Sequence, residues 1–142
     1  MRVVSSSFPP MTRKTNKVHT ILVVDDDPEI LATLSPRLEK RGYRVLTASD
    51  GNQAIEEARR YTPDLMILDV MMPGKTGWEV VRALKQDPVT TPIKVVMLTA
   101  IGEPMYEMMS PLYGANDHLA DAHFDKPLDI AALESKIAQL LG

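Results

Sequence analysis

With 142 residues, 44% apolar and 25% charged, the chain has the length and composition of one globular domain built on one core. No apolar run approaches the ~18 residues of a membrane span. The amino terminus lacks the apolar segment of a secretion signal, and the absence of cysteine excludes disulfides, thiolate metal sites and cysteine nucleophiles together. A net charge of −3 argues against a general nucleic-acid footprint, which needs a basic face. The expectation is a cytoplasmic protein that touches neither membrane nor DNA directly.

Residues 1–18 hold three serines, Pro9-Pro10 and the cations Arg13, Lys14 and Lys17 without an apolar period, and read as a flexible leader ahead of a domain at 19–142. From there apolar runs alternate with helical patterns. The spacing predicts a strand at Thr20–Val24, a helix at Pro28–Arg41, a strand at Tyr43–Thr47 and a helix at Gly51–Tyr61. It continues with a strand at Asp64–Leu68, a helix at Thr76–Gln86, a strand at Lys94–Leu98, a helix at Glu103–Tyr113, a short strand near Ala122–Phe124 and a helix at Asp129–Leu141. Asp27 is placed to cap the first helix, with Pro28 at its first position and Gly42 just past its end. Pro36 falls inside that helix, where a lost backbone bond costs on the order of 3 kcal/mol unless the helix yields. Ile30, Leu31, Leu34 and Leu38 still share one apolar face, so the helix is retained with a bend expected at the turn before Pro36. Asp87-Pro88 and Thr91-Pro92 bracket the next loop, because the residue before a proline is pushed out of the helical region.

Strict alternation of continuous apolar strands with helices implies an α/β fold, a doubly wound parallel sheet with helices on both faces. Five strands in the flavodoxin-like order 2-1-3-4-5, flanked by five helices, are expected. Ligands of such sheets sit at the carboxyl ends of the strands, where strand order reverses. Four features converge on that edge: Asp25-Asp26 after the first strand, Asp69 after the third, Thr99-Ala100 after the fourth and Lys126-Pro127 after the fifth. Crowded carboxylates repel one another, and a divalent cation with oxygen ligands offsets that repulsion. Carboxylate oxygens, a backbone carbonyl from the turn after Asp69 and waters complete the octahedral shell that Mg²⁺ requires. One carboxylate is then free to attack a phosphoryl group, whose oxygens the metal, the Lys126 ammonium and the Thr99 hydroxyl hold.

The strings ILVVDDDPEI, LMILDVMMPGKTGWEV, VVMLTA and FDKPLD, in this order, resemble the receiver domain of two-component response regulators from about His19 to Leu141. The spacings agree: 43 residues from Asp26 to Asp69 and 30 from Asp69 to Thr99. The resemblance implies that Asp69 is the phosphoacceptor and that Asp25, Asp26, Asp69 and the Met71 carbonyl hold Mg²⁺. It assigns Thr99 as the switch hydroxyl and Lys126 as a phosphoryl contact, and implies a cis peptide bond between Lys126 and Pro127. Pro73, Gly77 and Pro127 are in register with the family. The phosphodonor implied is a phosphohistidine on a sensor histidine kinase or a histidine phosphotransfer protein, and the output passes through contacts with a downstream protein target or through phosphorelay. Only a leader remains outside the domain, so the expectation is a receiver standing alone.

Two departures from the family pattern stand out. The position three residues before the lysine, commonly aromatic in the family, is His123. Lys126 lies 57 residues after Asp69, several more than usual, which points to an extended fourth helix or following loop near residues 114–122. Met71 and Ile101, two residues after Asp69 and Thr99, are both apolar, so nothing orients an attacking water and a comparatively long-lived phosphoryl group is expected. Met105, Met108, Met109 and Leu112 recur at helical spacing, either as a core face or as an adaptable partner surface. Trp78 is expected against the sheet. His19, His118 and His123 are too scattered for a transition-metal site. A rival reading is a Mg²⁺-dependent phosphatase of the haloacid dehalogenase kind with its aspartate nucleophile in Asp25-Asp26-Asp27. That reading leaves Asp69 unexplained, and no glycine-rich phosphate loop supports a nucleotide binder.

Overall fold

The structure is a computed structural model and describes residues 17–100, 108 and 119–142. Five strands alternate with helices: β1 (Thr20–Val24), α1 (Pro28–Lys40), β2 (Arg44–Ala48), α2 (Gly51–Tyr61), β3 (Leu65–Asp69), α3 (Gly77–Gln86), β4 (Lys94–Thr99), β5 (Ala122–Asp125) and α4 (Ile130–Leu141). The strands form one parallel sheet in the order β2-β1-β3-β4-β5, as expected. Among the described residues four helices flank it rather than five. The expected helix Glu103–Tyr113 lies outside them except for Met108, which is helical and exposed, so the core-face reading of Met105, Met109 and Leu112 lies outside them too. The expected leader lies outside them through residue 16. No described helix is long and apolar enough to cross a membrane.

Alternation of side chains along each strand divides the core in two. Leu22, Val24, Met66, Leu68, Val95 and Met97 face α2 and α3, where Ala54, Ala58, Val81, Leu84 and the fully buried Trp78 close the packing. Ile21, Val23, Leu65, Ile67, Val96 and Leu98 face α1 and α4, through Leu34, Leu38, Leu133 and Ile137. Strands buried on both faces cannot alternate apolar with polar, and so β1, β3 and β4 read as unbroken apolar runs.

Every described helix starts on a side-chain cap. Asp27 accepts from the Glu29 N–H at 2.9 Å, Asp50 from Gln53 at 2.8 Å and Asp129 from Ala132 at 3.0 Å. Thr76 and Glu79 form a reciprocal capping box. Thr76 and Asp129 therefore stand just outside their helices instead of opening them, since a cap needs extended backbone. α1 ends at Lys40, one residue early, and Gly42 follows with φ 95°. α1 runs through Pro36 as a single 13-residue helix, with the proline on the exposed side opposite Leu34 and Leu38.

β2 and β3 each begin one residue later than expected. For β3 the reason is visible: the Asp64 carboxylate accepts the Thr20 N–H at 2.8 Å while its own N–H donates to the Thr20 carbonyl at 2.8 Å. Asp121 does the same for β4, accepting from Val95 N–H at 2.8 Å and donating to the Val95 carbonyl at 2.7 Å. These two aspartates satisfy groups at the amino ends of the neighbouring strands that a ladder would leave open.

Candidate functional site

Parallel strands deliver their last residues to one edge, and here β1 and β3 both end in acid. Asp25 follows β1 and is fully buried; Asp69 closes β3 at 4% exposure; Asp26 is exposed. One oxygen from each of the three lies within 4.8 Å of the others. Asp25 is tied down at both oxygens: Oδ1 accepts the Asp27 N–H at 3.0 Å and Oδ2 accepts Lys126 Nζ at 2.8 Å. The same ammonium stands 3.5 Å from Asp69 Oδ1. Lys126 reaches this point because β5 lies beside β4, where the Lys126 N–H donates to the Thr99 carbonyl at 2.7 Å. The Lys126–Pro127 peptide is cis.

Burial and the neighbouring Asp25 charge push the Asp69 carboxyl up to about 7, against the pull of Lys126 and a backbone hydrogen bond from Met71. Burial draws the Lys126 ammonium down, yet its hydrogen bond to Asp25 and the charges of Asp69 and Asp25 outweigh this and hold it above the ordinary lysine value. Three carboxylates thus face one ammonium, a deficit of positive charge in a partly dry pocket. The donor set is all oxygen, gathered closely enough for one ion to touch all three, and oxygen is the ligand that hard cations such as Mg²⁺ take. The residues fit a hard divalent cation.

Of the residues singled out in the sequence, Asp25, Asp26, Asp69 and Lys126 come together directly. Thr99 ends β4 at the same edge, half-buried, and Met71 lies in the loop after β3 with its backbone bonded to the Asp69 carboxylate. Ile101 is outside the described residues. Asp27 is a cap, and His123 lies exposed on β5, paired in register with Met97. Among the described residues the acidic trio is the one cluster suited to a metal.

Gly77 does more than sit in register. A Cβ at this position would stand 2.5 Å from the Asp69 carbonyl oxygen and 2.9 Å from Val70 Cα, and the Gly77 N–H donates to the Val70 carbonyl at 2.7 Å. α3 therefore starts in backbone contact with the end of β3. Gly51 is equally confined, its missing Cβ 2.7 Å from Lys75 Cβ. The sequence signal for both was a glycine at the first position of a helix, where it costs helix stability without a local reason.

The response regulator receiver domain family matches residues 21–138. The chain is 38% identical over 121 residues to the alkaline phosphatase synthesis transcriptional regulatory protein PhoP of Bacillus subtilis, covering 85% of this chain and 48% of PhoP. It is 34% identical to protein PilH of Pseudomonas aeruginosa, covering 86% of this chain and 97% of PilH. The chain thus spans about half the length of the first of these relatives and nearly all of the second. Among solved structures it is similar to the response regulator TrrA of Thermotoga maritima in complex with Mg²⁺-BeF, with TM-score 0.74, 32% identity and coverage of 87% of this chain and 99% of that one. A response regulator from Chloroflexus aurantiacus superimposes with TM-score 0.76 at 30% identity over 88% of this chain and 98% of that one. Phosphorylation on aspartate and Mg²⁺ binding at an acidic pocket are general to this family. With its sheet order, its acidic edge and these matches, the chain belongs to the receiver domains of two-component response regulators.

Proposed function

We propose that Asp69 is the phosphoacceptor of a switch fed by a phosphohistidine on a sensor histidine kinase or a histidine phosphotransfer protein. The observation that carries this reading is the buried Asp69 carboxylate facing Lys126 in a pocket short of positive charge. Asp25, Asp26, Asp69 and the Met71 carbonyl would hold Mg²⁺, which supplies charge neutralisation for carboxylates and phosphoryl oxygens alike. An Asp69 oxygen attacks phosphorus as the P–N bond of the donor breaks. The electron pair leaves on the imidazole nitrogen, and the product is an acyl phosphate. Lys126 and Thr99 hold the phosphoryl oxygens, and Asp25 keeps the Lys126 ammonium charged and aimed.

When the phosphoryl group arrives, Lys126 exchanges part of its contact with Asp25 for one with the new anion. That exchange couples the loop between β5 and α4 to the chemistry, and it is the step by which contacts with a downstream protein target change.

The test is intact mass after incubation with Mg²⁺ and acetyl phosphate. The wild type gains one phosphoryl group and Asp69→Ala gains none. Continuous release of phosphate from small phosphoesters, unaffected by Asp69→Ala, would instead establish a phosphatase centred on Asp25-Asp26-Asp27.

A further inference from the structure

The acidic trio comes from two places, the loop after β1 with Asp25 and Asp26 and the end of β3 with Asp69. The turn from β2 to α2 contributes no member of the trio, yet it touches both loops. Its Ala48 carbonyl accepts the Asp25 N–H at 3.2 Å. Three residues on, the buried Gly51 lies against the later part of the β3–α3 loop. A Cβ there would stand 2.7 Å from Lys75 Cβ, 2.9 Å from Val80 Cγ2 and 3.3 Å from the Lys75 carbonyl oxygen.

Space, not backbone conformation, demands this glycine. Positive φ among the described glycines occurs at Gly42, Gly74 and Gly142, so the Gly51 backbone is open to other residues. Cβ atoms essentially never approach other atoms within 3.0 Å, and a side chain at 51 must therefore push a neighbour away. The turn itself is stiff: the Ser49 N–H and Oγ both donate to Gln53 Oε1, at 2.9 and 3.2 Å, and Asp50 Oδ1 accepts the Gln53 N–H at 2.8 Å. Val80 is fully buried in α3. Lys75 is half-buried and follows Gly74 at φ 80°, a residue whose backbone yields readily. Displacement thus falls on the loop, and through it on Met71, whose backbone holds the Asp69 carboxylate.

We infer that the β2–α2 turn is a spacer for the metal pocket and that Gly51 is a positioning residue. It sets how close the β3–α3 loop stands to the β1–α1 loop, and so the spacing of Asp69 and the Met71 carbonyl from Asp25 and Asp26. This rests on the reading of the acidic pocket as a Mg²⁺ site. Mg²⁺ demands near-ideal octahedral geometry, so a shift of one ligand loop against the other shows first in metal affinity.

Calorimetric titration of the full chain with Mg²⁺, accompanied by acetyl phosphate labelling, tests this. Gly51→Ala should raise the Mg²⁺ Kd at least about tenfold, while labelling at saturating Mg²⁺ stays within about twofold of wild type. Adding Lys75→Gly removes the atom nearest the new methyl group and should return the Kd to within about threefold of Lys75→Gly alone. The double-mutant cycle cancels the effect of the lost Lys75 charge. Gly51→Ala/Val80→Ala relieves the conflict with α3 but not that with the loop, so it should fold and still bind Mg²⁺ weakly. It carries the test if Gly51→Ala does not fold. Ile137→Val thins the core on the other face of the sheet and should lower the melting temperature with the Kd unchanged. The inference is overturned if both Gly51→Ala variants bind Mg²⁺ like wild type, if Lys75→Gly restores nothing, or if Ile137→Val weakens binding as much. Wild type that binds no Mg²⁺ would overturn the metal reading of the pocket and this inference with it.

Discussion

Asp69 is held in a state that favours its own proton. In the folded chain its pKa is pushed up to about 7 by burial and then by the Asp25 charge, above the ~3.9 of an unfolded aspartate. A carboxylate shifted upward stabilises the folded state fully below about pH 4, and that contribution is lost as pH rises through about 7. Metal-free protein should therefore melt at lower temperature at pH 8 than at pH 5.5 so far as this group decides it. Asp69→Asn should raise metal-free stability at pH 8 by about 1–2 kcal/mol after allowance for solvent screening, while abolishing phosphorylation. Because a proton competes for the same oxygens, Mg²⁺ affinity should fall as pH drops below about 7, measurable by titration calorimetry. An affinity unchanged between pH 8 and pH 5.5 would show that Asp69 is no ligand. The apolar Met71 belongs to this scale as well: with no polar side chain there to orient water, the acyl phosphate should persist for minutes or longer, and a half-life of seconds by phosphate release would contradict that.

Elements are aimed by residues that pack without reacting. Gly77→Ala places a methyl group against the Asp69 carbonyl and forces α3 away from β3; about 1–3 kcal/mol of stability should be lost, with slower labelling by acetyl phosphate even where the variant stays folded. Thr62 closes α2 in the left-handed region at φ 42°, a conformation that a β-branched side chain rarely adopts. Thr62→Gly should raise stability by about 0.5–1 kcal/mol by denaturant titration. α1 and α4 are tied by Glu134, which is buried and accepts Arg37 at 3.3 Å and Arg41 at 3.1 Å. Burial alone would raise the Glu134 carboxyl, but the two guanidiniums outweigh it and hold it below the ordinary carboxylate value. Its contribution is present above the unfolded pKa and lost as pH falls through the folded one. Acid unfolding of Glu134→Gln should be correspondingly less steep, and an unchanged acid limb would show that the pair contributes nothing.

For the whole molecule, the carboxyl edge of the sheet is where three acids and one lysine meet. A ligand that binds only the folded pocket stabilises all of it, because the loops after β1, β3 and β5 are held by one network. Mg²⁺ at a hundredfold excess over its Kd should add about 2.7 kcal/mol to unfolding stability, and Asp25→Asn should remove most of that gain. Calorimetric scans with and without the ion decide it.

The fold class was legible in residues alone, because strands buried on both faces must be continuous apolar runs and their alternation with helices leaves few chain paths. The acidic edge was legible too, since carboxylates at strand ends and a lysine before proline are punctuation that a core does not require. Sequence spacing, however, has no way to report what distant backbones do on meeting. That Asp64 and Asp121 clamp neighbouring strands, that Gly77 exists to let α3 touch β3, that Glu134 joins α1 to α4, and that Asp25 holds Lys126 were decided by tertiary contact. These are pairings between groups dozens of residues apart, whose energies exist only once burial removes water from between them.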